Sequence, residues 1–214
     1  LRRLFFVQEA EKMSKLLLPL CAMMLAGCSN IPAKDNAAGG HPFVLEEFFA
    51  GELGAHGVIL GRGGKVRRSF NAIMRGEWRE EEGVLKGVLT EEFVFDDGEV
   101  LQRRWEFTRV GEGRFEGTAS DVEGTAMLEV SGNALRMDYA LVVPVSDRSL
   151  TVQVEDWLWR MEPDVVVNKS TMHKWGFRIG EIITTIVRKP DASQQALSVE
   201  KQTGISSFFE WKIA

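Results

Sequence analysis

From about Gly57 to Pro190 the chain alternates apolar and polar residues in runs broken by Gly, Asn and Asp. A period of two sends successive side chains to opposite faces, the pattern of a half-buried strand. It predicts strands at about 57–61, 66–75, 84–95, 99–110, 113–119, 124–131, 134–143, 149–161, 164–172 and 177–188. The connections are short: Asp97-Gly98, Gly111-Glu112-Gly113, Ser131-Gly132-Asn133, Ser146-Asp147-Arg148 and Glu162-Pro163-Asp164. Such loops admit antiparallel hairpins joined in order and leave no length for a parallel crossover. About eight to ten successive antiparallel strands leave exposed edges unless the sheet closes, so the expected fold is all-β, an up-and-down barrel or strongly curved sheet. Before it, Phe43, Leu45, Phe48 and Phe49 cluster around Glu46 and Glu47 just after Pro42, which predicts a short helix over 43–50 closing at Gly51.

Splitting each strand into two faces exposes charges on apolar faces. Val66, Arg68, Phe70, Ala72 and Met74 share one; Leu85, Gly87, Leu89, Glu91, Phe93 and Phe95 the next; Leu101, Arg103, Trp105 and Phe107 a third. Leu135, Met137, Tyr139, Leu141 and Val143 form a fourth. A buried unpaired charge costs several kcal/mol, so inward-facing Arg68, Glu91 and Arg103 need each other, water or a ligand headgroup. Two readings stay open: an apolar cavity whose polar cluster receives a carboxylate or phosphate, and rim positions or a structural ion network. In 149–161, Asp156 falls on the face of Leu150, Val152, Val154 and Leu158, while Trp157 and Trp159 fall on the other; a bulge near Glu155-Asp156 would bring the tryptophans inside. The candidate ligand-binding residues are therefore Arg68, Glu91, Arg103, Trp105, Tyr139, Asp156 and Trp157.

The first thirty residues carry a different signal. After Met13, read as the true start, come Lys15 and the apolar run Leu16 to Met24, too short to span a bilayer and suited to a cleaved leader. Leu25-Ala26-Gly27-Cys28 matches the bacterial lipobox, which makes Cys28 the acylated first residue of the mature chain. Ser29 in place of Asp favours sorting to the outer membrane, facing the periplasm. Residues 28–42 then read as lipidated Cys and polar linker, 43–190 as the β domain and 191–214 as a polar C-terminal tail ending in a few aromatics.

Composition narrows the chemistry. Cleavage would remove Arg2, Arg3, Lys12 and Lys15 against Glu9 and Glu11, taking the net charge from -5 to -7. That offers no field for nucleic acid or anionic lipid heads, so the acyl anchor is the expected membrane contact. Two Cys and three dispersed His (His41, His56, His173) carry no metal spacing, and no Ser stands in a nucleophile elbow; no metal, cofactor or catalytic set is expected.

The segments HPFVLEEFFAGE, DDGEVLQRRWEF, GTASDVEGTA, GNALRMDYALVVPV and VEDWLWRMEPDVVVNKSTMHKWGFRIGEI, taken in that order, resemble a proteobacterial lipoprotein family known as domain of unknown function 3833. The likeness runs from about Phe43 to Pro190 and leaves the tail outside. It implies a lipobox-bearing envelope protein with a lipocalin-like β fold, and supplies no catalytic residues. Three functions arise as expectations: an outer-membrane-anchored, periplasm-facing module binding a lipid or other apolar molecule; a non-catalytic assembly lipoprotein binding another envelope protein; or a lipid-modifying enzyme using Asp156 or Glu91 as acid or base.

Overall fold

The computed structural model describes residues 32–37, 39–145 and 148–189. The leader, the lipobox with Cys28 and the tail 191–214 lie outside them. The chain divides into two units, Leu1–Pro32 and Ala33–Ala214, and all of the described secondary structure belongs to the second.

Ten strands follow one another: β1 (Gly51–Gly61), β2 (Val66–Glu81), β3 (Val84–Phe95), β4 (Val100–Gly111), β5 (Arg114–Thr118), β6 (Val122–Ser131), β7 (Ala134–Val145), β8 (Arg148–Glu162), β9 (Val165–Lys174) and β10 (Phe177–Arg188). Each pairs antiparallel with its neighbours in sequence, and β1 pairs with β10, Leu53 opposite Arg188 through Gly61 opposite Gly180, so the barrel is closed. Closure removes every edge, which is how the meander escapes the exposed edges it would otherwise carry. Two hairpins use two-residue turns with both residues at positive φ, Glu82-Gly83 and Trp175-Gly176, the geometry whose twist matches the flanking strands. Alternation locates nearly all the strands. It misses the first half of β1, where Gly51, Gly54 and Gly57 interrupt the period, and the last turn of β2, where Arg79, Glu80 and Glu81 mask it.

The short helix α1 (Leu45–Phe48) closes one end. Phe43, Leu45, Phe48 and Phe49 are buried with the barrel core, while Glu46 ion-pairs with Arg109 and Glu47 with Arg160. The backbone comes so close here that a Cβ on Gly76 would lie 1.6 Å from the Phe49 carbonyl oxygen; only glycine lets the plug seat. The stretch expected to be a linker is largely exposed over its described part, with Ala33 buried and a few hydrogen bonds to the barrel. Trp159 Nε1 donates to the Asn36 carbonyl (3.0 Å), Arg160 Nη1 to that of Pro42 (3.0 Å), and the Phe43 N–H to that of Gly132 (2.8 Å).

The opposite end, bounded by the turns 62–65, 96–99 and 175–176, is not plugged by any described element. Along β7 the inward series is buried at Leu135, Met137 and Tyr139, then half-exposed at Leu141 and Val143. The same change occurs on β3 from Leu89 to Phe93 and Phe95, on β8 from Val154 and Val152 to Leu150, and on β10 from Ile186 and Thr184 to Ile182. On these four strands the apolar inner face is dry towards the plug and opens to solvent towards the mouth, the shape of a funnel, while on β2 Phe70, Ala72 and Met74 stay buried throughout.

Candidate functional site

At the depth where burial changes, five strands contribute polar side chains. Glu91 on β3 stands opposite Arg103 on β4, as the register requires. Arg103 Nη1 is 3.9 Å from Glu91 Oε2, but the guanidinium is held by Asp121 in the β5–β6 turn, with Nε at 2.9 and 3.1 Å and Nη2 at 2.7 Å from its carboxylate oxygens. From β7, Tyr139 donates its hydroxyl to Asp156 Oδ2 on β8 (3.1 Å). Asp156 lies opposite Ser170 on β9, whose hydroxyl approaches Asn168 Oδ1 (3.4 Å). Trp105 stands edge-on to Tyr139, ring centroids 5.4 Å apart, and stacks on Phe107, which stacks on Trp78. Arg103 lies over Trp105 and Phe93 at 5.8 and 6.0 Å.

Two of these carboxyls are only partly satisfied. Glu91 Oε2 and Asp156 Oδ1 are shielded from solvent and have no hydrogen-bond partner. Burial pushes the Glu91 carboxyl up to about 7, Arg103 opposing and Asp156 reinforcing the shift. Burial also raises Asp156, with neighbouring Ser170, Tyr139 and Arg103 opposing the shift. Tyr139 is driven far above the usual phenol range by burial and by the Asp156 charge. Burial works against the Arg103 charge, yet Glu91, Tyr139 and Asp121 together hold it above the ordinary arginine value. Perturbed groups gathered at the foot of an apolar opening make this cluster the candidate site.

Of the residues expected from alternation, the structure brings Glu91, Arg103, Trp105, Tyr139 and Asp156 together. Arg68 stands apart at the mouth, paired with Asp97 (2.6 Å) and Glu99 (2.9 Å) and lying 3.8 Å over the Phe95 ring. Trp157 is on the outer wall. No bulge occurs at Glu155-Asp156: Asp156 pairs with Met137 and Trp157 with Arg136 in unbroken register, and the shift comes later, between Arg160 and Glu162. The tryptophan stacks on Trp159 and donates to Glu155, with Arg136 over its ring. It is hidden on the outside of the barrel rather than aimed within. Asp121 escapes a reading by alternation because it sits in a turn, and Ser170 because a lone hydroxyl on a strand has many uses.

Two other hollows, of about 480 and 370 Å³, straddle the wall at Gly57 and Phe70 and at Trp78 and Gly87. Neither is lined by any of the floor residues. Among the described residues no group of three or more His, Cys, Asp or Glu is placed to hold a metal.

A search of curated proteins finds no match. Among solved structures, the S-type phycobiliprotein lyase CPES from Guillardia theta superposes with a TM-score of 0.52 at 14% identity, covering 70% of this chain and 94% of that one. At that identity the likeness speaks for the fold alone. A family model described as a protein of unknown function (DUF3833) matches residues 22–188.

Proposed function

This chain belongs to the DUF3833 family, and we propose that it is a lipid-anchored barrel that takes an apolar molecule with one polar end through its open mouth. The observation that carries this reading is the graded inner face: apolar side chains stay half-exposed from Leu141, Val143, Leu150 and Ile182 down to a shielded polar floor. Leaving them so forgoes about 25 cal/mol for each Å² of apolar surface that closure would bury, a cost that a ligand lining would recover. The likeness in fold to a lyase that acts on phycobiliproteins is compatible with a barrel that receives a small molecule. The anchor rests on Leu25 to Cys28 and the sorting on Ser29, placing the barrel at the periplasmic face of the outer membrane in this reading.

The apolar dye phenylnaphthylamine tests the barrel. Its fluorescence is expected to rise on binding, with the gain lost in a Leu141→Trp, Ile182→Trp variant that fills the funnel and melts as the parent does. An equal rise in both proteins would refute binding within. For the anchor, Cys28→Ala is expected to abolish incorporation of radioactive palmitate and release the protein from the membrane fraction.

A lipid-modifying enzyme is a second reading, favoured by one observation: Glu91, held near 7, can give or take a proton at neutral pH. A ligand recovered chemically unchanged after prolonged incubation with the protein argues against it.

A further inference from the structure

We infer that the polar end received at the barrel floor is a protonated amine rather than a carboxylate or phosphate, an assignment that rests on the reading of the barrel as a binder of amphiphiles. The geometry is the reverse of an anion site. Arg103 is the one cation that acts on Glu91, Tyr139 and Asp156 among the described residues, and its Nε and Nη2 are already committed to Asp121. Its remaining nitrogen, Nη1, faces Glu91 Oε2 at 3.9 Å, so an anionic head reaching it would meet the Glu91 carboxyl.

The atoms left open are acceptors. Glu91 Oε2 and Asp156 Oδ1, both shielded from solvent, accept no hydrogen bond, Glu91 Oε2 having only the 3.9 Å approach of Arg103 Nη1, and the Tyr139 hydroxyl hydrogen is spent on Asp156 Oδ2. An ammonium brings three donors and no acceptor, which matches two orphaned carboxylate oxygens; a carboxylate head brings acceptors only. Charge points the same way. Once Glu91 ionises, its charge and that of Asp121 face one guanidinium, so an ammonium offsets the excess and an anion adds to it. The faces of Trp105 and Phe93, over which Arg103 already lies, are surfaces that attract cations. Above the floor, Leu101, Leu141, Val143, Leu150, Met172 and Ile182 would hold an alkyl or aryl body.

The groups facing Glu91 are Arg103 from β4, Asp121 from the β5–β6 turn, Tyr139 from β7 and Asp156 from β8, with Met74 of β2 opposite it in register. Since burial holds Glu91 up to about 7, ionisation of this carboxyl makes amine binding tighten as the pH rises through neutrality. A fatty acid would show the opposite trend.

The test is calorimetric titration of the full chain in lipid nanodiscs with octylamine, octanol and octanoate at about pH 6 and about pH 8, empty nanodiscs subtracted. Octylamine is expected to bind about ten-fold tighter than octanoate, with octanol between, and to gain affinity at the higher pH. A Glu91→Gln, Asp156→Asn variant is expected to bind octylamine no better than octanol. Should that double variant fail to fold, Glu91→Gln alone is expected to flatten the pH dependence. Octanoate binding as tightly as octylamine, or an amine preference that survives the substitutions, overturns the inference and leaves the barrel a binder. No binding of any of the three overturns the amphiphile reading itself.

Discussion

Glu91 is the residue through which the interior reports on pH. Burial raises its folded-state value to about 7 from an ordinary 4.5, so the folded protein holds the proton more tightly than the unfolded chain. Below about 4.5 both states are protonated and the residue adds nothing to the pH dependence. Between there and about 7 the unfolded chain ionises first, and stability falls as the pH rises, by about 3 kcal/mol at most. Asp156, raised by the same cause, adds a loss of the same sign. Glu91→Gln is therefore expected to raise the melting temperature near pH 8 and to flatten its descent between about pH 5 and 7. A variant that melts with the parent's slope across that window would show that Glu91 is not buried as described. Most of this site is legible from parity alone: Glu91, Arg103, Trp105, Tyr139 and Asp156 all fall on the inward phase of strands whose register holds. Trp157 goes to the other side because the expected bulge is displaced to Arg160 and Glu162, and one residue of phase reverses a face. Asp121 carries no phase, being in a turn.

At the scale of elements, the plug is the part most exposed to single substitutions. Phe48 is wholly buried in the end of the barrel, and Phe48→Ala should cost about 3–5 kcal/mol, read by chemical denaturation. Gly76→Ala meets the Phe49 carbonyl oxygen and is expected to cost about 1–3 kcal/mol by pushing the plug outward. The aromatic cluster of 43–50 makes the helix legible in the sequence; that it enters the barrel depends on contacts distant along the chain, such as Arg109 with Glu46, which no local pattern encodes. The β9–β10 hairpin shows a local conflict. Trp175 is 84% exposed with φ 51, a conformation that disfavours bulky residues and suits Asn at this turn position. Trp175→Asn should therefore stabilise the fold by up to about 1 kcal/mol, seen as a raised denaturation midpoint.

At the scale of the whole molecule, β2 to β4 show a polarity opposite to that of a membrane-spanning barrel. The outer phases of β2, β3 and β4 carry Arg75, Glu77, Arg79, Lys86, Glu92, Arg104 and Glu106, while the inner phases are apolar but for charges such as Arg68, Glu91 and Arg103. A barrel that crosses a bilayer has its apolar band outside. On β2 to β4 the outer face meets water and most of the apolar side chains point within, and no described element covers the mouth. Closure was foreseeable because a meander with short loops has few other ways to hide its edges. The funnel was not, because half-exposure at Leu141, Leu150 and Ile182 depends on what fails to cover them.

Native mass spectrometry of the protein from its own host, released from gentle detergent, tests that interior binding most directly. A one-to-one adduct of a small amphiphile is expected, dissociating on activation and missing from the Leu141→Trp, Ile182→Trp variant. A bare chain mass in both proteins, or an adduct the filled variant retains, would contradict it.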